Sequence, residues 1–289
     1  MKKRLVFVIL HYNEPDVTRD AVKHLLELHD SNYCQIVVVD NFSPDGSGET
    51  LDNEYRENPF VDVIRTRQNL GFAKGNNFGY RHAKLRYTPE VIVVMNNDVM
   101  IEQSDFIHRL FVQRSFFDYE IIMPDIVNKS GVHQNPFRVQ PLSTFHIIKE
   151  IMSLNLLFLL YNTPIINKIW ARRRKRTLFK KTNIAKDADM MIPHGACVIF
   201  MPKWVNNEDF AFVPDTFLYG EEDLLYEYAT FKNYRTHLST SLTVKHLEDV
   251  STDSVIKTPI AKSKFLIKNL LHSHKLLFKM RISKNNIRQ

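Results

Sequence analysis

Cysteine is scarce: Cys34 and Cys197 are the only two in 289 residues. Two thiols cannot build a disulfide framework, and their spacing fits no zinc site. Each lies in an apolar run, Cys34-Gln-Ile-Val-Val-Val and Cys197-Val-Ile-Phe, so both read as buried thiols of a cytoplasmic protein. Long hydrophobic runs are missing too. The longest, around Ile151 to Tyr161, is interrupted by Ser153 and Asn155, and a membrane-spanning helix needs about 20 residues. The apolar run after Met1-Lys2-Lys3-Arg4 ends at Leu10 without a small-residue cleavage site, so no signal peptide is expected. There is no Gly-Lys-Ser/Thr loop and no Gly-x-Gly-x-x-Gly, which leaves a P-loop or dinucleotide site unsupported. Internal repeats and low-complexity segments are absent as well.

Acidic residues are missing from two long segments. Ile151 to Lys186 holds nine Lys/Arg and no Asp/Glu, and Ser254 to Gln289 repeats those numbers. Outside them, 21 of the 39 basic residues face all 32 acidic ones. The formal charge of +7 therefore hides an acidic body with two cationic segments. Such a body repels duplex phosphates, which argues against a nucleic-acid binder even with Trp170 beside Arg172-Arg-Arg-Lys-Arg176. In the second segment Lys262, Lys264, Lys268, Lys275 and Lys279 alternate with Phe265, Leu266, Leu270, Leu277 and Met280. That is a basic amphipathic pattern suited to an anionic membrane surface, and also to a helix packed on the body. The expectation is a cytoplasmic protein, peripheral on the inner face of the cell membrane. Phe145 to Trp170, apolar at helical spacing, offers a surface for a second copy.

What is present is an alternation of strand and helix. Arg4–Leu10, Gln35–Asp40, Val61–Thr66 and Val91–Met95 are short continuous apolar runs. Between them lie helical patterns: Val17, Ala21, Leu25 and Leu28 behind a cap at Asp16, a second helix after Ser43-Pro-Asp-Gly-Ser-Gly, and Gly71–Tyr87. The pattern predicts an α/β fold with a mostly parallel central sheet flanked by helices. In such sheets ligands bind at the carboxyl ends of the strands, where His11 to Glu14, Asp40 to Ser43 and Asn96 to Asp98 follow. Beyond Asp125 the order weakens. It returns with a strand at Pro193–Phe200, a helix opened by Phe217-Leu-Tyr-Gly-Glu-Glu-Asp, two short strands at Arg235–Leu238 and Leu242–His246, and a basic helical tail. The divisions expected are 1–105, 106–252 with an apolar-basic insertion at about 140–186, and 253–289.

Asp40, at a strand end, can accept hydrogen bonds from a nucleobase or ribose, or cap a turn. Asn69 to Asn77 opens a helix whose free N–H groups favour anions, or are simply capped. On an extended segment Asn96 and Asp98 would point the same way. Glu221, Glu222 and Asp223 at a helix start splay about 100° apart.

Taken in order, Val8-Ile-Leu-His11-Tyr12-Asn13, Val38-Val-Asp40-Asn41-Phe-Ser43-Pro-Asp-Gly-Ser, Asn69-Leu-Gly71-Phe72-Ala-Lys-Gly75-Asn76-Asn77, Asn96-Asn97-Asp98, His194-Gly195-Ala196-Cys197 and Phe217-to-Asp223 resemble family-2 glycosyltransferases of GT-A fold. More narrowly, they resemble the rhamnosyltransferase-like enzymes of bacterial surface polysaccharide synthesis. The likeness runs from about residue 4 to 250. It implies an inverting transfer from a UDP- or dTDP-linked sugar to a glycan acceptor, often lipid-linked. His11, Tyr12, Asn13, Asp40, Asn41, Ser43, Asn69, Gly71, Phe72, Gly75, Asn76 and Asn97 would then hold the donor. Asp98, with Asn96 and His246, would hold a divalent metal, Mg or Mn; one carboxylate where the family's motif has two implies weak metal binding without the nucleotide. His194, Gly195 and Ala196 would contact donor or acceptor. Glu222 falls where the family's base falls, usually an Asp, with Asp223 and Glu221 as alternatives. A catalytically inactive membrane-associated scaffold of the same fold and a nucleotidyltransferase are the other readings; the latter would release pyrophosphate.

Overall fold

The computed structural model describes residues 4–160, 186–248 and 259–287, with side chains of 259–262 and 284–287 left aside. Trp170 and the Arg172–Arg176 run lie outside the described residues. Nine strands form one sheet: β1 (Leu5–His11), β2 (Cys34–Asp40), β3 (Val61–Arg65), β4 (Val91–Asn96), β5 (Val99–Met100), β6 (Ile121–Asn128), β7 (Ala188–Asp189), β8 (Cys197–Phe200) and β9 (Thr236–His246). The order is β3-β2-β1-β4-β8-β6-β9-β5, with β7 also on β9. β3-β2-β1-β4 are parallel, as are β6 and β9. β8 joins the two parallel blocks through antiparallel pairs, so the sheet crosses the expected division at residue 105 unbroken.

The helices are α1 (Pro15–Leu26), α2 (Ser47–Tyr55), α3 (Gly71–Tyr87), α4 (Phe106–Val112), α5 (Thr144–Leu159), α6 (Pro202–Asn207), α7 (Glu221–Phe231) and α8 (Pro259–Ile287). The apolar strands are continuous because both faces are covered. Leu5, Phe7 and Ile9 pack with Ala21, Val22 and Leu25 of α1 and with Leu51 of α2. Val6 and Val8 pack on the other face with Ala73, Tyr80 and Ala83 of α3 and with Trp204. α3 comes close to the sheet because it presents glycine: a Cβ on Gly79 would lie 2.4 Å from Val39 and 2.5 Å from Val8.

Several elements differ from the sequence reading. α1 starts at Pro15 behind a left-handed Glu14; Asp16 does not cap it but sits in its first turn beside Arg19. The strand expected from Pro193 begins at Cys197. The two short strands at 235–246 are one strand, β9, whose register on β6 jumps between Pro124 and Asp125. Ser239 pairs with Pro124 and Thr243 with Asp125, so Thr240, Ser241 and Leu242 between them bulge, and the polar pair mimics a break.

The basic tail is a packed helix along its described length. Ile267 and Leu271 bury against Leu154 and Leu157 of α5, Leu277 packs with Ile147 and Leu224, and Phe265 meets Phe217 ring to ring at 5.8 Å. Arg281 pairs with Glu227 of α7 at 2.8 Å. Leu266, Leu270 and Met280 also face protein. The apolar residues expected to meet lipid from this helix therefore cover the body instead.

Asn77 of α3 ties this architecture together. Fully buried, it donates to the Phe212 carbonyl and accepts from the Ala211 and Phe212 N–H groups. It fixes the loop that leads to α7. Asn77→Ala leaves three buried backbone groups unmatched and is expected to lower unfolding stability by roughly 2–4 kcal/mol in denaturant titration.

Candidate active site

The carboxyl ends of β2, β1 and β4 lie side by side, with His11 opposite Asp40 and Leu10 opposite Asn96 in register. Asp40 is almost wholly buried at the end of β2. Its Oδ1 accepts the Ser43 N–H at 2.9 Å, the turn-capping arrangement, and its Oδ2 faces the half-exposed Arg65 guanidinium at 3.5 Å. The carboxylate lies so close to α2 that a Cβ on Gly48 would fall 1.9 Å from Oδ2. Phe42 beside it is 52% exposed in the left-handed conformation (φ 66°), an aromatic ring held at the rim by a strained backbone.

Several expected donor residues turn inward. Both ring nitrogens of His11 are engaged, by Thr18 at 2.7 Å and Ser47 at 2.9 Å, and burial holds its pKa below the usual value. Asn97 donates to the same Thr18 hydroxyl. Asn41 donates to Asn69 and to the Gly71 carbonyl and accepts from the Leu70 N–H. Gly75 lies against Leu10 and Asn41, and Asn76 reaches back to the Phe72 carbonyl. Tyr12, Asn13 and Ser43 are partly exposed on the rim, where the Asn13 N–H donates to Ser43. Lys74 is exposed.

The β4 end departs from the expected geometry. Asn97 and Asp98 form a turn between β4 and β5 rather than an extended segment. The alternation that would place Asn96 and Asp98 on one side therefore does not operate; Asn97 goes toward α1, Asp98 toward β9, and the Asn96 backbone pairs with Ala196. Asp98 Oδ1 is buried without a hydrogen-bond partner, 3.3 Å from Nε2 of His246 but outside hydrogen-bond geometry. The other His246 nitrogen, Nδ1, lies 2.8 Å from Gln134 Oε1, while the Gln134 amide donates to Glu248. That chain assigns the proton of a neutral His246 to Nδ1. A lone pair on Nε2 then confronts a lone pair on Asp98 Oδ1, an arrangement that suits a cation between them, with Gln134 fixing the ring. Among the described residues no group of three or more His, Cys, Asp or Glu gathers in this way.

His194 edges onto His246 with ring centroids 5.7 Å apart. Its Nδ1 accepts from the Ala196 N–H and its own N–H donates to Asn135, so a neutral ring keeps its proton on Nε2. Burial, reinforced by His246, pushes its pKa down to about 3. Gly195 follows; a Cβ there would stand 3.1 Å from Glu222 Oε1 and 3.5 Å from Phe72. The catalytic candidates of α7 thus meet the β8 entry loop and the start of α3 at one glycine.

The three carboxylates at the start of α7 point to different surroundings, as their splay predicts. Asp223 is ion-paired to Arg138 at 2.6 Å. Glu221 is buried with Oε1 unpartnered. Glu222 is partly exposed beside Gly195. Burial pushes Glu221 up to about 8, the Glu222 charge adding to it; burial pushes Glu222 up to about 7, with Asp223 adding and the Gly195 N–H and Arg138 opposing. Asp223 is also raised, by burial against the pull of Arg138. Arg138, Gln134, Asn135 and Phe42 escaped the sequence reading of the site. The first three lie in the irregular stretch after Asp125, where no periodicity marks them.

A concavity of about 510 Å³ near Arg4, Tyr33, Cys34 and Phe111 lies at the amino ends of β1 and β2, away from this rim.

The fold is that of solved glycosyltransferases. The mannosyltransferase PcManGT from Pyrobaculum calidifontis, in complex with GDP-Man and Mn2+, superposes with a TM-score of 0.56 at 15% identity, covering 98% of this chain and 74% of that one. S. aureus TarS 1-349 gives 0.53 at 14% identity, over 86% of this chain and 60% of its own length. GalNAc-T7 with UDP, GalNAc and Mn2+ gives 0.54 at 13%, over 92% and 47%. No curated protein matches the chain in sequence. Residues 6–207 match Glycosyl transferase family 2, and the chain belongs to that family.

The raised Glu221 pKa has a consequence for stability. A carboxyl with a folded pKa near 8 and an unfolded one near 4.5 binds more protons in the folded state between those values, so its contribution worsens as pH rises through that window. Glu221→Gln removes the penalty. Its Tm should exceed that of the parent by roughly 5 °C more at pH 9 than at pH 6.

Proposed function

We propose that the chain is an inverting glycosyltransferase that moves a sugar from a nucleoside-diphosphate donor, UDP- or dTDP-linked, to the hydroxyl of a glycan acceptor, itself lipid-linked, in cell-surface polysaccharide synthesis; a rhamnosyl or related hexosyl unit fits the sequence resemblance. The observation that carries the reading is the convergence on Gly195. Asp98 lies against His246, His246 against His194, and the next residue, Gly195, against Glu222 and Phe72. Phe72 opens the helix whose Gly71 carbonyl is held by Asn41, the neighbour of Asp40. A continuous line of contacts therefore joins the nucleotide end of the rim to the carboxylate end.

The roles follow from position. Asp40, Ser43 and the Tyr12-Asn13 rim receive the nucleoside, and the Phe42 ring offers a stacking face for the base. His11, Asn41, Gly75 and Asn97 act by holding these loops. At the start of α3 the Leu70, Gly71 and Phe72 N–H groups are already engaged by Asn41, Asn69 and Phe217, so Asn69 to Asn76 acts by fixing the loop that faces the diphosphate. Asp98 and His246 would hold a divalent cation, Mg or Mn, with Asn96 nearby. The orphaned Oδ1 of buried Asp98 fits such an ion, and phosphate oxygens would complete a shell that two protein ligands leave open. When bound, the cation neutralises charge on the leaving diphosphate.

Glu222 is the base. It is the one carboxylate of the three that is neither sealed inside nor neutralised by Arg138, and a pKa near 7 suits proton transfer at neutral pH. Its carboxylate takes the acceptor proton as the acceptor oxygen attacks the anomeric carbon opposite the departing diphosphate, and configuration inverts. His194 Nε2–H, the bare backbone of Gly195 and the small Ala196 line the sugar.

Transfer should rise with pH as Glu222 deprotonates through about 7, and Glu222→Gln should cut the rate by 10²-fold or more while donor affinity, measured calorimetrically, stays within about twofold. Retained transfer would remove Glu222 from the role. Asp98→Ala should abolish the metal dependence of nucleoside-diphosphate binding; unchanged dependence in the same calorimetric titration would place the ion elsewhere.

A further inference from the structure

The side chains of α5 and α8 divide into a buried set and an exposed set, and the exposed sets share one side. The two helices run antiparallel: Leu154 and Leu157 meet Ile267 and Leu271, Lys264 sits 5.7 Å above the Phe158 ring, Ile147 meets Leu277, and the Leu142 carbonyl accepts from Arg281 near the far end. Each helix advances about 100° per residue. On α5, Ile151, Leu154 and Phe158 face α8, while Phe145, Ile148, Met152, Leu156 and Leu159 lie about 100–160° further round. On α8, Ile267 and Leu271 face α5, and Lys264, Lys268, Lys275 and Lys279 lie about 60–120° further round in the same numbering sense. In an antiparallel pair, equal rotations in the numbering sense bring both faces to the same side. The opposite rotation agrees: Leu157 and Leu277 occupy it, and both are buried, Leu277 with Leu224 of α7.

The outer side of the pair is therefore an apolar stripe beside a lysine row. Phe145 is 78% exposed, Met152 67% and Leu159 77%, and all four lysines are exposed. Five exposed large apolar residues at helical spacing on one helix exceed the scatter of an ordinary surface. None of the four lysines has an ion-pair partner among the described residues. The one acid of α5, Glu150, is turned toward the other side and lies near His146 at 3.6 Å. In sequence the chain leaving α5 adds nine more Lys/Arg and no acid before Asp187.

We propose that this two-helix face docks on an anionic lipid bilayer, the α5 stripe entering the headgroup–acyl boundary and the α8 lysines meeting acidic headgroups. Charge complementarity selects this occupant. A second copy of the same face would bring lysine rows together with no carboxylate to neutralise them. The proposal deepens the reading of a lipid-borne acceptor and rests on it only for its purpose, because docking is measured without sugar transfer.

The test is flotation of the full chain with phosphatidylcholine vesicles, with and without one-third phosphatidylglycerol, at low and high salt. Binding is expected to the anionic vesicles alone and to weaken with salt. Lys268→Glu combined with Lys275→Glu should lower partitioning by about 25-fold or more, at about fivefold per lysine. Met152→Glu combined with Leu156→Glu should lower it comparably, and Lys23→Glu, on the exposed face of α1, should leave it unchanged. All these sites are exposed, and an unaltered unfolding midpoint and donor affinity confirm that each variant is folded. Absence of flotation, equal flotation of neutral vesicles, or variants that float like the parent would overturn the proposal. So would a dimer in sedimentation that Met152→Glu with Leu156→Glu dissociates, since the face would then belong to a second copy. Any of these leaves the transferase reading standing, which fails instead on the Glu222 and Asp98 variants.

Discussion

The junction of Gly71-Phe72 with Phe217 is the constraint on which the rest of the site depends. The Phe72 N–H donates to the Phe217 carbonyl at 2.7 Å, and a Cβ on Gly71 would lie 2.3 Å from that same oxygen. Gly71 adopts φ 75°, which only glycine takes at little cost. This one contact clamps the start of α3 to the loop that opens α7. Without it the sheet would still fold, since its strands are buried on both faces independently of the loop. What would be lost is the distance between the two ends of the rim, and proximity of this kind is a large part of what a transferase supplies.

A second brace acts from behind. Gly220, with φ 88°, starts α7, and Ser273 of α8 donates to the adjacent Tyr219 carbonyl. The two backbones are so close that a Cβ on Gly220 would lie 2.8 Å from Ser273 Cβ. α8 is thus part of the support for the carboxylate triplet. An acidic first turn is favoured by the helix dipole and opposed by mutual repulsion and burial. The outcome differs by residue: Arg138 compensates Asp223, burial without a partner at Oε1 leaves Glu221 protonated at neutral pH, and Glu222 is left to titrate near pH 7.

The first hundred residues were legible because each strand is short, apolar and terminated by polar residues, and a parallel sheet forces those ends to one rim. Asp40, Asp98 and Glu222 could be picked out from that rule and the resemblance. Their immediate chemistry could not. The turn at Asn97-Asp98 reverses the side-chain alternation of a strand, and nothing in Asn-Asn-Asp distinguishes turn from strand end. Gln134, Asn135 and Arg138 come from a stretch without periodicity, positioned by pairing with residues far along the chain, as Arg138 is with Ile192. The inward role of His11 was equally hidden, because its partners Thr18 and Ser47 belong to two different helices. What covers the apolar side of the tail was hidden for a different reason: amphipathicity reports that a helix has an apolar side and is silent about what covers it.

That last point bears on how the rim could serve the lipid-borne acceptor proposed above. The helix whose inner side steadies Tyr219 has its lysines on the outer side, and the helix it packs against supplies the exposed apolar stripe. Both are attached to the half of the molecule that bears the carboxylates: Arg281 of α8 binds Glu227 of α7, and Ile147 of α5 packs with Leu224. The helices α1 and α2, at the Asp40 end of the rim, lie on the other face of the sheet. A bilayer held by the α5–α8 layer would therefore adjoin the carboxylate-bearing half and leave the Asp40 end, where we propose the donor binds, open to water. No movement of α8 is needed for this, because Ser273 and the lysines occupy different sides of one rigid helix and engage their partners at the same time.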